Sequence, residues 1–197
     1  MSNPQAVAEF RFLSFKDGGS PSSEGWASVT AELAAATGVV GVYFGPVAEP
    51  TAPGSHVLAV HWAGYDQASA FDSDLARVAW RALFAGLVDT PRRAYAVLGE
   101  KTANVLSAPT TELFTAFGVE DGFLENVRVF SANVDAAALE GYHGSAVGEV
   151  VEAIAQDHGG EPGEAVMLVI GWDSVDKHLE EKAKPGNRMF YSLPSFR

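Results

Sequence analysis

Tyr142 and His143 stand side by side between Gly141 and Gly144. A phenol and an imidazole so placed can divide proton work: Tyr donates and His accepts near neutral pH. That chemistry suits enolisation, cyclisation or dehydration of a small molecule. Two more histidines are candidates for the same work. His56 opens the apolar stretch "HVLAVHW", where it could act as a base at a cavity mouth, and His178 falls in the first helical turns after "GWDSVDKH". His61, flanked by apolar residues and pointing away from Trp62, reads as a satisfied core residue on the helix side. Arg11 and Arg128 are charges inside apolar stretches. Each could clamp a carboxylate or phenolate, or pair with an acid such as Glu9 or Glu152, and pairing is the reading favoured. Ser14, Ser131 and Tyr43 would add hydroxyls to a cavity wall.

Other chemistries find no footing. The chain has no cysteine, so disulfides, thiolate nucleophiles and Cys-based metal centres are excluded. No Gly-x-Ser-x-Gly elbow and no phosphate-cradling glycine loop occurs. Asp157, His158 and Glu161 share one loop without a second histidine nearby, so no metal site is expected. Thirteen basic residues against 25 acidic ones give a net charge of −12, which argues against nucleic acid or an anionic membrane as partner. No basic start precedes an apolar run, and no stretch has the length of a membrane span, so the expectation is a cytoplasmic protein.

The elements that must position these residues alternate. Glu9–Phe15 reads as a strand. Trp26, Val29, Leu33 and Ala36 mark a helix ending at Gly38. "VVGVYFG" and "HVLAVHW" follow as strands, joined by a Pro/Gly loop. A long amphipathic helix then carries Ala68, Phe71, Leu75, Val78, Ala82 and Leu83 on one stripe. Either "RRAYAVL" or "TELFTAFG" would supply a fourth strand.

The second half repeats the plan. With Gly38 set on Gly148 and no gap, Val40 meets Val150, Leu58 meets Leu168, Trp62 meets Trp172 and Asp66 meets Asp176. "FRFLSF" aligns with "VRVFSA", matching Arg11 to Arg128 and Ser14 to Ser131. This makes Arg128 and Ser131 strand residues and puts Tyr142 and His143 inside a clipped helix. The expected domains are 1–105 and 106–197, each a ferredoxin-like unit, the second degenerate at its C-terminus.

The strand–Trp–acid–Ser–helix turn "GWDSVDKH", with its weaker counterpart "HWAGYDQA", resembles the signature of dimeric α+β barrel proteins, especially the antibiotic biosynthesis monooxygenase-like branch. The resemblance implies an α+β fold in which tandem ferredoxin-like units pair their antiparallel sheets into one single-chain, pseudo-dimeric barrel. It implies that Trp62 and Trp172 lie near the cavity, while core packing is the reading favoured for either from the residues themselves. It also implies a cofactor-independent enzyme of secondary metabolism acting on an aromatic or polyketide-like ligand, as a monooxygenase or as a cyclase, dehydratase or isomerase. Haem is the alternative cofactor. The rival reading is a non-catalytic ligand-binding or stress-related barrel, and a homo-oligomer is compatible with either.

Overall fold

The computed structural model describes residues 5–17, 19–48, 54–156 and 160–184. The chain divides into two compact units, Met1–Val97 and Leu98–Arg197. In the first, β1 (Val7–Phe15), α1 (Glu24–Ala34), β2 (Val39–Pro46), β3 (Ser55–Trp62), α2 (Tyr65–Ser73), α3 (Val78–Leu87) and β4 (Val88–Ala96) follow in order. The antiparallel sheet runs β2-β3-β1-β4, the ferredoxin-like arrangement. "RRAYAVL" thus supplies the closing strand. The Ser23 hydroxyl caps α1 by accepting from Trp26 N at 3.2 Å. That helix then buries Trp26, Val29 and Leu33 at helical spacing.

Strand alternation gives the sheet two unlike faces. Leu13, Leu58, Val60 and Trp62 pack with the helix residues Trp26, Leu33, Phe71 and Trp80. Ala8, Phe10, Ala59 and His61 lie on the opposite face, which carries no helix of this unit. His61 therefore sits on the helix-free face, not the helix side, and its Nδ1 has no hydrogen-bond partner among the described residues.

The long helix expected after β3 is broken. Asp74 accepts from Ala76 N at 2.9 Å and starts a short 3₁₀ turn, Leu75–Arg77. Arg81 closes the end of α2 by donating to the carbonyls of Asp72 and Asp74 at 2.7 and 2.9 Å. The break re-phases the apolar stripe. Trp80 and Phe84 are buried, while Leu75, Val78 and Leu83 are exposed.

Under α2 and α3 lies a buried polar network. Glu9 is fully buried. Its carboxylate accepts from Arg11 Nε, from Arg93 Nε at 2.6 Å and from the Trp62 indole at 2.9 Å. Asp72 accepts from Arg93 and from Arg11 and Tyr95 at 3.1 and 3.0 Å. The pairing reading of Arg11 with Glu9 matches this geometry, and Arg11 also lies over the Phe84 ring at 5.3 Å.

The second unit contains α4 (Thr102–Leu106), β5 (Thr110–Phe117), α5 (Phe123–Ala136), β6 (Tyr142–Glu149), β7 (Ala165–Trp172) and α6 (Val175–Ala183). Its antiparallel sheet runs β5-β7-β6 among the described residues. "TELFTAFG" is thus the opening strand of this unit. "VRVFSA" lies in α5, which corrects the strand assignment of Arg128 and Ser131. Those six residues satisfy a period of two. Over the longer window Phe123, Leu124, Val127, Phe130 and Val134 follow the helical period, and the helix wins. Tyr142 and His143 belong to a strand, not a clipped helix.

The gapless alignment also places β6 seven residues late. Val39 and Tyr142 both pair with the closing tryptophans, Trp62 and Trp172, and both pairings precede a bulge. Gly38 and Gly141 both take positive φ, at 85° and 72°, and their carbonyls accept from Ala63 N and Asp173 N at 2.7 and 2.8 Å. The extra residues lie in the β6–β7 connection, which carries an isolated bridge between Ile154 and Gly163. Asp157 and His158 lie outside the described residues, as does the segment after Lys184.

Removing one partner of a buried charge network leaves the others uncompensated. Glu9→Ala should cost about 3–5 kcal/mol. Glu112→Ala, at a partly exposed acid bonded to the Trp172 indole at 3.3 Å, should cost about 1–2 kcal/mol. Urea unfolding followed by tryptophan fluorescence checks the order. Equal losses would refute the ranking.

Candidate functional site

The second unit holds a cleft of about 220 Å³ between α5, β6 and the segment leading into α4. The helical period brings Arg128, Ser131 and Asp135 onto one face of α5. Ser145 faces them from β6, and Lys101 closes the side. Asp135 is the hub. One carboxylate oxygen accepts from the Tyr142 hydroxyl and from Ser145 Oγ at 3.3 Å, and the other accepts from Lys101 Nζ. Ser131 and Ser145 share a hydrogen bond of 2.6 Å at the floor. Arg128 stands at the rim, over half exposed, 3.6 Å from Glu125.

Burial alone would raise the Asp135 pKa. Hydrogen bonds from Lys101 and Tyr142, the Lys101 charge and the Ser145 hydroxyl outweigh it and hold the carboxyl below its ordinary 3.8. The site thus presents a fixed anion bonded to a phenol, with cations and hydroxyls around it. It can bind an oxygen-bearing ligand through Lys101 and the serine hydroxyls, with Asp135 as the acceptor on its wall.

Of the residues singled out in the sequence, Arg128 and Ser131 line the cleft, and Tyr142, outside its lining, is tied to it by the hydrogen bond to Asp135. All three are joined through α5, for a reason the strand alignment did not contain. Lys101, Asp135 and Ser145 were missed. The signal for Asp135 was its helical spacing from Arg128 and Ser131, visible once α5 is read as a helix.

The remaining candidates are dispersed. His143 sits at the β6 bulge with Nε2 2.6 Å from Asp173 Oδ1, and its carbonyl accepts from Asn104 at 2.7 Å. His178 stacks on Trp172 at 5.3 Å, with Nε2 3.3 Å from Glu112. His56 stacks on Phe44 at 5.1 Å, and its Nδ1 lies 3.0 Å from the Gly54 carbonyl. Arg11 is held in the network of the first unit. Ser14 and Tyr43 lie on the helix-free side of the first sheet. Trp62 and Trp172 are fully buried on the helix-facing sides, which corrects the expectation of a cavity face: both are core, packed against Phe71 and Tyr142.

No family model and no curated protein matches the chain. Solved structures do. A Fusobacterium nucleatum protein described as "Putative monooxygenase" aligns with a TM-score of 0.57 and 11% identity, over 96% of this chain and 85% of that one. An "anthrone oxidase-like protein" aligns at 0.56 and 12%, over 93% and 80%. A "Putative Chlorite dismutase" aligns at 0.51 and 10%, over 93% and 88%. At this identity the likeness shows the fold alone, α+β with antiparallel sheets.

The last of these neighbours overturns the expectation that no cofactor takes part, because it points to the haem-binding branch of the fold. The donors in the second-unit cleft do not fit a haem. Its lining contains no histidine, its volume is too small for a macrocycle, and no cluster of metal-ligating side chains occurs among the described residues. No step is therefore derived through that group.

The depressed Asp135 pKa fixes the sign of a pH effect. Stability from this carboxylate is complete above 3.8 and is lost as pH falls through its lower folded value. Asp135→Asn should lower stability by about 2 kcal/mol at neutral pH, and the gap to wild type should close as pH falls below 3.8 and through the lower folded value. Denaturation midpoints measured across that range check it, and a constant gap between the two proteins would contradict the assignment.

Proposed function

We propose that the chain is an enzyme that removes a proton from a small aromatic or polyketide-like molecule bound in the cleft of its second unit. Support comes from the Lys101–Asp135–Tyr142 hydrogen-bond chain at that cleft, together with a fold shared by proteins named for monooxygenase and anthrone oxidase chemistry. In this reading the substrate's acidic C–H or O–H delivers its proton to the Asp135 carboxylate on the cleft wall, which the Tyr142 hydroxyl holds in place by its hydrogen bond. The electron pair stays on the substrate as an enolate or phenolate, whose oxygen Lys101 and Arg128 hold. Ser131 and Ser145 orient the substrate's polar edge. The His143–Asp173 pair is a second acid–base couple, exposed beyond the cleft. The step assigns neither oxidant nor cofactor.

The same proposal takes the two units as tandem copies. Each sheet would hide its helix-free face in a single-chain barrel.

Anthrone is a suitable probe, since its methylene proton is acidic and its enolate oxygen is a phenolate. Under argon, exchange of that methylene with deuterated solvent reads proton removal alone. Wild type should accelerate exchange, and Tyr142→Phe and Asp135→Asn should each slow it by about a hundredfold. Anthrone that binds but exchanges no faster than in buffer would make the chain a ligand-binding protein, and equal exchange by wild type and both variants would remove the cleft from the reaction.

A further inference from the structure

The hydrogens at the floor of the second-unit cleft have one order. An ionised carboxylate can only accept, and Asp135 is surrounded by groups that donate. Lys101 Nζ fills one of its oxygens, while the Tyr142 hydroxyl and Ser145 Oγ, the latter at 3.3 Å, donate to the other. Against the effect of burial, these donors hold its pKa below 3.8, so it is an anion at neutral pH. Ser145 has a single O–H, and Asp135 takes it. The 2.6 Å contact between the two serines therefore has a direction: Ser131 donates and Ser145 accepts. That bond uses the only O–H of Ser131.

What Ser131 offers the cleft is then lone pairs alone. No second donor reaches its Oγ among the described residues. The neighbouring wall supplies none from its side chains, since Leu98, Ala146 and Val147 are apolar. The cations stand at the rim, Lys101 57% and Arg128 55% exposed. The cleft thus has two ends with opposite needs. Its rim donates to an acceptor oxygen, and its floor accepts from a donor. A ligand that reaches the floor displaces water able to donate to Ser131, and it keeps that bond only if it brings an O–H or N–H of its own. An ether oxygen in the same place would set acceptor against acceptor.

We propose that Ser131 is the specificity-determining residue of the cleft, admitting a ligand edge that carries a hydrogen-bond donor and disfavouring one that carries an acceptor alone. This rests on the reading of the cleft as the substrate site. The substrate class that fits both ends is an aromatic carbonyl compound with a free hydroxyl on the far edge of its ring. The carbonyl oxygen faces Lys101 and Arg128, and the hydroxyl donates to Ser131 Oγ.

The charge on Asp135 sets this preference through the two hydrogen bonds that link it to Ser131. Asp135→Asn reverses the order. Lys101 can only donate, so it takes the amide carbonyl oxygen, which leaves the amide N–H facing Ser145. Ser145 then accepts from the amide and donates to Ser131, and Ser131 turns its own O–H toward the cleft.

3-Hydroxyacetophenone is the probe. 3-Methoxyacetophenone, which keeps the carbonyl and loses the donor, is the control. Calorimetry should show wild type binding the hydroxy compound roughly tenfold more tightly than the methoxy compound. Ser131→Val, which lacks the acceptor and covers Ser145, should bind the two alike. So should Asp135→Asn, because a hydroxyl and an ether both accept from the reversed Ser131. Equal binding by wild type overturns the proposal, and this measurement stands should either variant fail to fold. A preference that survives in Ser131→Val or in Asp135→Asn overturns it as well. None of these measurements reads proton removal. Deuterium exchange without the preference would sink the inference and leave the proton-removal reading standing, whereas the preference without exchange would support the inference and sink that reading.

Discussion

Each unit places an acid on its first strand directly beneath the tryptophan that ends its third. Glu9 accepts from the Trp62 indole and Glu112 from the Trp172 indole. Burying a carboxylate in a sheet–helix interface is costly unless its lone pairs are filled, so the rest of each unit is arranged around that requirement. In the first unit the answer is charge. Arg11 and Arg93 converge on Glu9, and Asp72 on α2 balances the second guanidinium. This ties β1, β3, β4 and α2 into one array and fixes how α2 lies on the sheet. In the second unit the acid is partly exposed, and His178 on α6 is its ionisable neighbour. The same strand–tryptophan geometry is thus held firmly in one unit and lightly in the other.

This difference explains what the sequence could and could not reveal. The tryptophans, the turn after them and the helix start were legible because they fall at a constant spacing of aromatic, polar and acidic residues. The strand-first acids were not, because the eye goes to the arginine in "EFRFLSF" instead of the glutamate. Arg11 has no counterpart at Phe114, whereas Glu9 has one in Glu112. Aligning on arginine moved the opening strand of the second unit into α5 and carried Ser131 and Arg128 with it. The gapless match failed for another reason. A loop tolerates added residues at small entropic cost, so seven residues accumulated between β6 and β7 without disturbing either strand. Faces depend on register, and register follows from pairing, which a local pattern cannot give. His61 was therefore assigned to the wrong side of its strand.

The candidate cleft follows from a substitution of volume. In the first unit α1 packs on β2 through Trp26, Val29 and Leu33, with Phe44 against Trp26 at 4.8 Å. The space is filled. In the second unit α5 packs on β6 with Val127 and Val134, but Ser131 and Ser145 stand between them and Asp135 follows one turn later. Small hydroxyl side chains open volume that leucine and tryptophan would occupy, and each hydroxyl must then find a partner. Ser131 and Ser145 find each other, and Ser145 and Tyr142 find Asp135. The cleft and its hydrogen-bond chain are consequences of one change, from apolar filling to polar lining.

That change also explains why the cations matter in a chain whose net charge is −12. A strongly acidic protein repels anions over the range of a Debye length, so an anionic intermediate gains nothing from the global field. Lys101 and Arg128 at the cleft act at contact distance, where screening is weakest and the local sign can differ from the overall one. Lys101 is paired with Asp135, and both line the cleft. Arg128 is held only by Glu125 one turn away, a pair exposed enough to exchange partners readily. An anionic oxygen that entered the cleft beside Arg128 would thus compete with a weak surface pairing, not a buried one, and the network around Asp135 would stay intact.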